Sequence, residues 1–412
     1  MKRLAVIGCG LRGDSYMAKL RPDLGREFQL VALADPSPVA RKVYLEHYGD
    51  PSVKTFSSGP ELLAAMGAGL DAAIVASPNH FHRESAVPAM ARGLTLLLEK
   101  PVATTVADLA TIWKAYRSSG EPPVAIGFVL RYTPFYRKVK ELIDGGAVGQ
   151  VLAIEASELL GNTISALFMR EWRRFEAQAG PFILEKCCHD LDLLNWFAGA
   201  PPVRVTSIAS RTRFVPNPLA ALHCKDCRFI DTCRYSTRRI VPYTIDAMDT
   251  SRAYLKPLLP WGNDLCVFNS EKDIPDHQAV ALEYANGVIA NFTACMDQPR
   301  TTRTIRVYGT EAELSGDIGK DELVLTRHPQ KTLVDWTSEK IAIQHDGSGH
   351  HGGDSVITNQ FKAMMHGDRT PPAAGLREGV AAGVVALAAE QARHEKREVD
   401  VAALYHSVFA SS

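Results

Sequence analysis

Two parts of the sequence carry side chains that could move a proton. Glu185, His189 and Asp192 are spaced i, i+4 and i+7 in a helical pattern, which places them on one face. An imidazole titrates near neutrality, so His189 could act as a general base, oriented by Glu185 or Asp192. Lys100 follows a buried apolar run at 94–98, where desolvation would lower its pKa and suit it to a reacting oxygen. The alternative for the helical group is a solvated face of salt bridges.

A glycine-rich turn near the N-terminus could hold a dinucleotide. Gly8, Gly10 and Gly13 follow the first short apolar run and open a helical pattern. The first glycine allows a tight turn, the second lets the backbone approach a pyrophosphate, and the third lets the helix pack on the strand. The N–H groups at the helix start, among them those of Leu11 and Arg12, then face the phosphates, and the Arg12 side chain adds a cation. The alternative is a glycine turn that binds nothing.

An acidic residue, Asp35, ends the second apolar run about 20 residues after the glycines. Its carboxylate would accept hydrogen bonds from the ribose hydroxyls of the adenosine and would repel a 2′-phosphate, which favours NAD over NADP. Arg41 is close in the sequence and keeps NADP open as the alternative.

The ends of three other predicted strands carry residues suited to ligand contact. They are Ser77, Pro78, Asn79 and His82 after the third strand, Glu99 and Lys100 after the fourth, and Arg131 and Tyr132 after the fifth. Ligands of open parallel sheets bind beyond the carboxyl ends of the strands, so we expect the first two groups to contact the cofactor and the third the substrate. For the first group the alternative is a Ser-Pro turn with Asn79 as a capping residue.

A sheet with parallel strands would bring these strand ends together. In the first third of the chain, short apolar runs alternate with helical patterns, as expected of buried parallel strands and crossover helices. The predicted strands are 4–7, 30–34, 72–76, 94–98 and 124–129, and the predicted helices lie near 15–20, 38–47, 60–66, 82–92 and 106–117. The sequence therefore predicts an α/β fold with an N-terminal doubly wound parallel sheet in residues 1–130.

The pattern changes in residues 131–412, which we interpret as a second α/β domain. Strand-like runs at 151–156, 203–210, 280–284, 288–293 and 304–308 are not each followed by a helix. Asn286-Gly287 between two of these runs predicts a hairpin, so the second sheet is at least partly antiparallel. One of its faces should pack on helices, and the other is a candidate oligomer surface. Two C-terminal helices are expected at about 355–367 and 376–395, after a loop-rich insert at about 216–263.

The composition excludes several classes of protein. The 412 residues contain 46 basic and 46 acidic side chains, with 22% charged and 46% apolar residues, which excludes intrinsic disorder. A balanced charge gives no general attraction to nucleic acid or to anionic lipid, and we find no local basic patch large enough for either. No apolar stretch reaches the roughly 20 residues needed to cross a bilayer. The N-terminus lacks the pattern of a secretory signal, so we expect a cytoplasmic protein.

Five motifs occur in order along the chain: Gly8-x-Gly10-x-x-Gly13, Asp35, Ser77-Pro78-Asn79-x-x-His82, Glu99-Lys100-Pro101 and His189-Asp190-Leu191-Asp192. As a set they resemble the Gfo/Idh/MocA family of glucose-fructose oxidoreductase and inositol dehydrogenase, over nearly the whole chain. The resemblance implies a Rossmann domain that binds NAD(P), followed by an α/β domain with a large open, mostly antiparallel sheet that forms a homo-dimer or homo-tetramer. It also implies hydride transfer between the nicotinamide and a secondary alcohol or ketone carbon of a sugar, polyol or glycoside.

The resemblance assigns roles to several residues. Lys100 matches the family's lysine and His189 its helix histidine, while Glu185 stands where the family most often has Asp. Lys186 also differs from the usual residue, so the proton relay and the preferred sugar can differ from those of inositol-type enzymes. Lys186 and Asp192 join Arg131 and Tyr132 as expected substrate contacts. The turn at 349–354 resembles a family turn that precedes the returning C-terminal helices, and we expect it to border the substrate.

Two other functions remain open at this point. Some relatives are NAD-dependent glycoside hydrolases, which oxidise a carbon transiently, eliminate the aglycone and return the hydride. Others bind the cofactor as sensors without catalysis. The presence of both Lys100 and His189 counts against a sensor.

A cysteine motif in the insert is a further candidate site. Cys224, Cys227 and Cys233 form a C-x-x-C with a third cysteine close behind, and His223 precedes them. Three thiols and one more ligand could bind a structural zinc ion. His223 is poorly placed beside Cys224, and the other ligand candidates are Cys187, Cys188, Cys266 and Cys295. Packed reduced thiols and an oxidised pair are the alternatives.

Overall fold

The computed structural model describes residues 1–49, 51–66, 69–240, 250–258, 263–329, 334–347 and 349–410. These residues form one sheet of six strands and one of nine, with helices packed on both. Within these ranges, no helix has the length and apolar character needed to cross a membrane.

The N-terminal sheet is parallel throughout. Its strands are β1 (Lys2–Ile7), β2 (Phe28–Ala34), β3 (Lys54–Phe56), β4 (Ala72–Val75), β5 (Thr95–Leu98) and β6 (Val124–Ile126). They are arranged in the order β3-β2-β1-β4-β5-β6, and all neighbouring pairs run in the same direction. Every residue of β4 and β5 is buried, as expected for strands covered by helices on both faces. The predicted doubly wound sheet is confirmed, and only the short β3, whose first two residues are exposed and polar, was missed.

Five helices connect these strands: α1 (Leu11–Leu20), α2 (Pro38–Tyr48), α3 (Gly59–Met66), α4 (His82–Ala91) and α5 (Val106–Ser118). Local capping explains where two of them begin, since Ser37 Oγ accepts from the Ala40 N–H at 3.2 Å and Thr105 Oγ1 from the Asp108 N–H at 3.1 Å. The strand order reverses between β1 and β4, and this reversal opens a crevice at their carboxyl ends.

The second sheet is large and mostly antiparallel. Its strands are β7 (Val151–Gly161), β8 (Pro202–Ser210), β9 (His277–Tyr284), β10 (Ile289–Gln298), β11 (Thr302–Gly309), β12 (Ala312–Asp317), β13 (Glu322–Arg327), β14 (Thr337–Ala342) and β15 (Val399–Asp400). The order is β14-β13-β12-β11-β7-β10-β9-β8-β15, and only β7 and β10 pair in parallel. The predicted hairpin joins β9 and β10, with Gly287 in the left-handed region at φ +85°. The mixed, mostly antiparallel architecture agrees with the expectation.

Helices cover one face of this sheet. The helices that follow β6 are α6 (Pro134–Asp144), α7 (Asn162–Arg170), α8 (Glu176–Ala179), α9 (Phe182–Glu185), α10 (Cys188–Ala198), α11 (Gly353–Met365), α12 (Leu376–Glu395) and α13 (Val401–Phe409). Of these, α6, α7, α10, α12 and α13 contact the second sheet, whereas α11 packs on α1 and β5 of the first domain. The long α12 packs on β8 and α10 and also on α5 of the first domain. The Ile126 N–H donates to the Ala374 carbonyl at 2.9 Å just before α12 begins. The C-terminal helices therefore hold the two domains against each other.

The helix predicted to carry Glu185, His189 and Asp192 on one face is interrupted. It ends as α9 at Glu185, and α10 begins at Cys188 after two residues in a turn. Glu185 and His189 line one cleft, whereas Asp192 lines a different cavity. The single-face prediction was therefore wrong for Asp192.

Candidate active site

A cleft of about 410 Å³ lies between the carboxyl ends of the N-terminal strands and the second domain. Most of the predicted site residues line it: Gly8, Gly10, Leu11, Arg12, Asp35, Ser77, Pro78, Asn79, Glu99, Lys100, Glu185 and His189. Its volume lies in the range of cavities that hold a small ligand.

The three glycines of the first turn have distinct steric roles. Gly8 has φ +97°, and a Cβ there would lie 2.4 Å from the Ala76 backbone. A Cβ on Gly13 would lie 2.6 Å from the Gly8 carbonyl oxygen, so α1 packs closely on the first strand. Gly10 is the N-cap of α1, and a Cβ there would meet nothing within 4 Å. The middle glycine therefore leaves the helix N-terminus open towards the cleft, as a pyrophosphate requires.

Asp35 is oriented by backbone groups at the end of β2. Its Oδ2 accepts from the Cys9 N–H at 2.9 Å, and its Oδ1 accepts from the Ser37 N–H at 2.8 Å. Each carboxylate oxygen keeps a further lone pair for a ribose hydroxyl. The Arg41 guanidinium donates to the backbone carbonyls of Asp35 and Pro36, next to the carboxylate. A cation therefore lies beside the Asp35 carboxylate.

The Arg12 side chain is engaged in a buried ion cluster. Its Nε lies 2.5 Å from Glu99 Oε1, its Nη1 2.8 Å from Asp354 Oδ1, and its Nη2 donates to the Tyr16 hydroxyl at 2.7 Å. Burial disfavours the charged form of Asp354, but hydrogen bonds from His350 and Arg12 outweigh it and hold the pKa of Asp354 well below its usual value. Two carboxylates neutralise the Arg12 side chain, and its expected role as a phosphate cation stays a prediction.

Lys100 and Glu185 form an ion pair across the domain boundary. Lys100 Nζ donates to the Glu185 carbonyl at 2.6 Å and lies 3.3 Å from Glu185 Oε2. The same carboxylate accepts from Asn79 Nδ2 at 2.9 Å and from Arg173 Nε at 2.6 Å. Burial disfavours both charges, but the pair outweighs it, so the pKa of Lys100 is raised and the pKa of Glu185 is lowered. The sequence predicted a lowered pKa for Lys100; the structure corrects this, and the ammonium is retained.

His189 lies in the first turn of α10 and is only 8% exposed. Burial lowers the pKa of His189 well below its usual value, and nearby cations, of which Lys100 contributes most, lower it further. The imidazole is therefore neutral at physiological pH and can accept a proton. Its Nδ1 has no hydrogen-bond partner among the described residues. Neither of the two carboxylates expected to orient His189 bonds to its Nδ1, because Glu185 binds Lys100 and Asp192 binds Arg131.

Several predicted site residues do not line the cleft. Arg131 and Asp192 form a buried bidentate ion pair beside a separate cavity. Arg131 Nε donates to Asp192 Oδ2 at 2.6 Å, and its Nη2 donates to Oδ1 at 2.8 Å. Tyr132 is buried and accepts a hydrogen bond from the Ala374 N–H at 3.4 Å. Lys186 Nζ lies 3.2 Å from Glu158 Oε1. Each of these four residues is held by a partner and none is among the residues that line the cleft, and their interpretation as substrate contacts stays a prediction.

His82 is also placed differently from the expectation. It is fully buried, and its two ring nitrogens lie 2.8 Å from the Pro101 carbonyl and 2.9 Å from the Ser77 carbonyl. Burial lowers the pKa of His82. The ring joins the two loops that carry Ser77 and Lys100, so its contribution to the cleft is indirect.

The turn at 349–354 borders the cleft through His350, which bonds Asp354 at 2.9 Å. Two other histidines lie close to the Asp321 carboxylate: His351 Nδ1 is 3.5 Å from Oδ1, and His345 Nε2 is 3.3 Å from Oδ2. Two imidazoles and a carboxylate at this spacing resemble a metal site. However, His345 Nδ1 accepts from the Gly347 N–H at 3.0 Å, so in the neutral ring Nε2 carries the proton. That nitrogen donates to Asp321 and has no lone pair for a metal.

Comparison with protein families identifies the chain. Residues 2–128 match a model described as an oxidoreductase family with an NAD-binding Rossmann fold, and residues 136–315 match the GFO/IDH/MocA C-terminal domain. The chain belongs to the GFO/IDH/MocA family. The family expected from the sequence motifs is confirmed, and with it an NAD-binding Rossmann domain.

Two members of the GFO/IDH/MocA family show how far this sequence has diverged from its relatives. YteT of Bacillus subtilis (strain 168), provisionally named an oxidoreductase, is 25% identical over 85% of this chain and 87% of its own. An inositol 2-dehydrogenase of Burkholderia multivorans is 27% identical over 53% of this chain and 61% of its own.

Two solved structures share the whole fold. A levoglucosan dehydrogenase in complex with NADH and L-sorbose has a TM-score of 0.73 at 18% identity, covering 98% of this chain and 100% of that one. A scyllo-inositol dehydrogenase of Lactobacillus casei with NAD(H) and scyllo-inositol has a TM-score of 0.69 at 16% identity, covering 98% and 99%. At these low sequence identities, the structural similarity shows that the fold is shared.

In this GFO/IDH/MocA protein, the sequence analysis missed residues contributed by the connection after α7. Glu171, Trp172 and Arg173 line the cleft, and the Arg173 guanidinium lies over the Trp172 ring at 4.4 Å. An aromatic residue beside two arginines in an irregular segment was the available signal. An indole in a polar cleft offers a flat surface for the C–H face of a sugar ring.

Proposed function

We propose that the protein is an NAD-dependent dehydrogenase or reductase that acts on a secondary alcohol or ketone carbon of a sugar, polyol or glycoside. One observation carries the proposal: the Lys100 ammonium and the neutral His189 imidazole line the cleft that also contains Gly10 and Asp35. The names of the inositol and levoglucosan dehydrogenases among its relatives support a polyol or sugar as the substrate.

The Rossmann half of the cleft suits the cofactor. The open N-terminus of α1 at Gly10 would hold the pyrophosphate, and Asp35 would accept the adenosine ribose hydroxyls. When bound, the nicotinamide supplies the acceptor or donor of the hydride. The residues of the chain fit this group, because the donors at the helix start and the acceptor at the strand end are those a dinucleotide requires.

The other half of the cleft suits proton transfer from an alcohol. We assign His189 as the base, since its lowered pKa leaves the imidazole neutral. Lys100 would donate to the substrate oxygen as negative charge develops, an effect of about 3 kcal/mol for one well-placed donor. Glu185 is a positioning residue, because its carbonyl and carboxylate hold Lys100 Nζ in place. In the reverse direction His189 returns the proton.

The test is to incubate the protein with NAD or NADP and each of a panel of sugars, polyols and glycosides, and to follow the absorbance of the reduced nicotinamide. Accumulation of reduced cofactor with a free sugar or polyol is the expected result. Cleavage of a glycoside with no accumulation would favour the hydrolase alternative, and binding of NAD without turnover of any compound would favour the sensor. Lys100→Ala is measured in parallel to exclude a contaminating enzyme.

Replacing Asp35 with serine is expected to shift the cofactor preference. The carboxylate both accepts the ribose hydroxyls and repels a 2′-phosphate, so its loss should lower the ratio of kcat/KM for NAD over NADP by about tenfold or more. Initial rates with each cofactor at a fixed substrate concentration measure the ratio. Arg41→Ala in the Asp35→Ser background should return part of the preference, because Arg41 is the cation beside the 2′ position. An unchanged ratio in Asp35→Ser would contradict the assignment of Asp35.

A homo-dimer or homo-tetramer through the uncovered face of the C-terminal sheet is part of the proposal. Ile208 on β8 and Ile289 on β10 are 75% and 52% exposed on this face. The positions that neighbour Ile208 across the sheet are small, in the row Ala279, Thr293, Ser157 and Thr304. A flat face with exposed isoleucines is typical of a surface that pairs with a second sheet. The cytoplasmic location expected from the sequence stays a prediction.

Replacing both isoleucines, Ile208→Lys with Ile289→Lys, is expected to lower the mass of the particle to that of a smaller oligomer or a monomer. Buried like charges would oppose pairing of the faces, whereas exposed lysines change the stability of one chain by only about 0.5 kcal/mol. Light scattering after size exclusion measures the mass. Leu219→Lys, which changes an exposed leucine outside the sheet, is the control. An unchanged mass in the double variant would show that this face is not the interface.

A further inference from the structure

The connection between β8 and β9 gathers four cysteines that the proposed reaction does not use. Cys224, Cys227, Cys233 and Cys266, which we name the thiol cluster, line one cavity of about 210 Å³. All eight cysteines of the chain are within the described residues, and all are free thiols. The alternative of an oxidised pair is therefore not observed.

The backbone brings the two ends of the insert together at Cys224 and Cys266. The Cys224 N–H donates to the Asp264 carbonyl at 2.7 Å, and the Cys266 N–H donates to the Leu222 carbonyl at 2.8 Å. These two bonds flank an antiparallel bridge between residues 223 and 265. Alternation of side chains along such a bridge places Cys224 and Cys266 on the same side, and both are buried.

Hydrogen-bonded turns bring the other two thiols to the same cavity. The Cys227 N–H donates to the Cys224 carbonyl at 3.1 Å, which closes the C-x-x-C turn. The Cys233 N–H donates to the Phe229 carbonyl at 2.7 Å, which closes a second turn. His223 is not at the cavity, since its Nδ1 lies 2.6 Å from Asp264 Oδ1. The structure therefore points to Cys266 as the fourth member that the sequence left open.

The remaining wall of the cavity is suited to a soft metal. Besides the thiols it is mainly apolar, with Phe229, Ile230, Val267 and Phe268, and no carboxylate among the described residues lines it. Hard cations prefer oxygen ligands, whereas four thiolates are the donor set of zinc and of iron–sulfur clusters.

Two buried polar groups at the cavity point to a ligand that they do not yet contact. Ser236 is 1% exposed, and its Oγ has no hydrogen-bond partner among the described residues although it lines the cavity. Arg170 is 3% exposed, donates to the Leu265 and Tyr235 carbonyls, and has its Nη2 3.8 Å from Cys224 Sγ. Within the described residues, no carboxylate forms a salt bridge with this guanidinium. Thiolates would supply the compensating negative charge.

We infer that Cys224, Cys227, Cys233 and Cys266 bind a thiophilic metal centre that fastens the insert to the second domain. Zinc–sulfur bonds of about 2.3 Å place four sulfurs about 3.8 Å apart. No three of the four sulfurs are within 4.8 Å of one another here. A single zinc ion would therefore draw the half-exposed Cys227 and Cys233 inward, while an iron–sulfur cluster, with its larger ligand spacing, needs less movement.

The centre would stabilise one wall of the candidate active site. Arg170 contacts the thiol cluster and is the last residue of α7, and Trp172 and Arg173 follow it into the cleft. Leu258, farther along the insert, also lines the cleft. A metal that orders the insert therefore supports the segment that carries Trp172, without itself contacting the reacting atoms.

Metal content of the full-length protein, purified without chelator and under anaerobic conditions, tests the inference. We expect either about one zinc per chain, or iron with an equal amount of acid-labile sulfide and a visible absorption that bleaches on reduction. Either result supports the inference, and the analysis distinguishes the two. The inference would be overturned by less than about a tenth of an equivalent of any metal, together with no decrease in the number of thiols that react with a thiol reagent after metal is added to the native protein.

Variants test whether these four cysteines are the ligands. Cys227→Ser and Cys233→Ser are expected to lower the bound metal at least about tenfold and the midpoint of thermal unfolding by more than about 5 °C. Cys295→Ser changes a half-buried cysteine outside the cavity and should retain the metal. If a serine variant fails to fold, cobalt added to the metal-stripped parent protein provides a second readout, because tetrahedral thiolate ligation gives intense visible bands. Full metal content in both serine variants would overturn the inference.

Discussion

Lys100→Ala is expected to lower kcat by at least about 100-fold while the Kd for NAD stays within about threefold of the parent value. Lys100 Nζ is held 2.6 Å from the Glu185 carbonyl, and its raised pKa keeps it an ammonium. It can therefore stabilise negative charge that develops on the substrate oxygen during hydride transfer. A donor of about 3 kcal/mol corresponds to roughly two decades in rate. Single-turnover absorbance changes and isothermal titration with NAD measure the two quantities.

A control is needed because removing Lys100 changes the surroundings of a buried carboxylate. Glu185 is 2% exposed and would keep only Arg173 and Asn79 as partners. Lys100→Met preserves most of the side-chain volume, and Lys100→Met with Glu185→Gln also removes the unbalanced charge. Lys114→Ala changes an exposed lysine on α5 and should keep full activity. Turnover near the parent value in a folded Lys100→Met variant would refute the assignment of Lys100.

Sequence reasoning succeeded where local chemistry and strand topology act together. Gly13 is required by its close contact with the Gly8 carbonyl within one strand–helix unit, and Gly8 by its positive φ and by the Ala76 backbone after the neighbouring strand, so the glycine spacing of the motif reveals both. Asp35 and Lys100 follow buried parallel strands, and the rule that such strand ends meet at one edge placed them in one cleft. His189 could be added because its motif followed the others in the order typical of the family.

The errors concern side chains whose partners are distant in the sequence. Arg131 and Asp192 are 61 positions apart, and no local pattern indicates that they bind each other. Lys100 and Glu185 are 85 positions apart, so the sequence could anticipate the burial of Lys100 but not the carboxylate that reverses its effect on the pKa. Trp172 was missed because it lies in a single 3-10 turn, Trp172–Arg174, which is too short to show helical or strand periodicity.

The activity of the parent enzyme in alcohol oxidation is expected to stay near its plateau as the pH falls through about 6.5, the usual pKa of histidine. A base must be neutral to accept a proton, and burial together with nearby cations lowers the pKa of His189 well below that value. The acid limb of kcat/KM should therefore lie below pH 6.5. His189→Gln should lower kcat by at least about 100-fold and remove this limb. His406→Gln, which changes an exposed histidine, is the control.

Loss of activity in acid must be separated from unfolding. The pKa values of His82 and His189 are both lowered by burial, so below about pH 6.5 the unfolded chain binds more protons than the folded one. The free energy of unfolding therefore decreases as the pH falls from 6.5 towards the folded pKa values. Recovery of full activity on return to pH 8 identifies the reversible titration of the base.

The Lys100→Met variant provides an independent check on the same base. Lys100 is the nearby cation that lowers the pKa of His189 most, after burial itself. Removing this charge should raise that pKa and move the acid limb of the residual activity to higher pH than in the parent enzyme. An unmoved limb in Lys100→Met would show that the group that sets the limb is not electrostatically coupled to Lys100, which would contradict the assignment of His189 as the base.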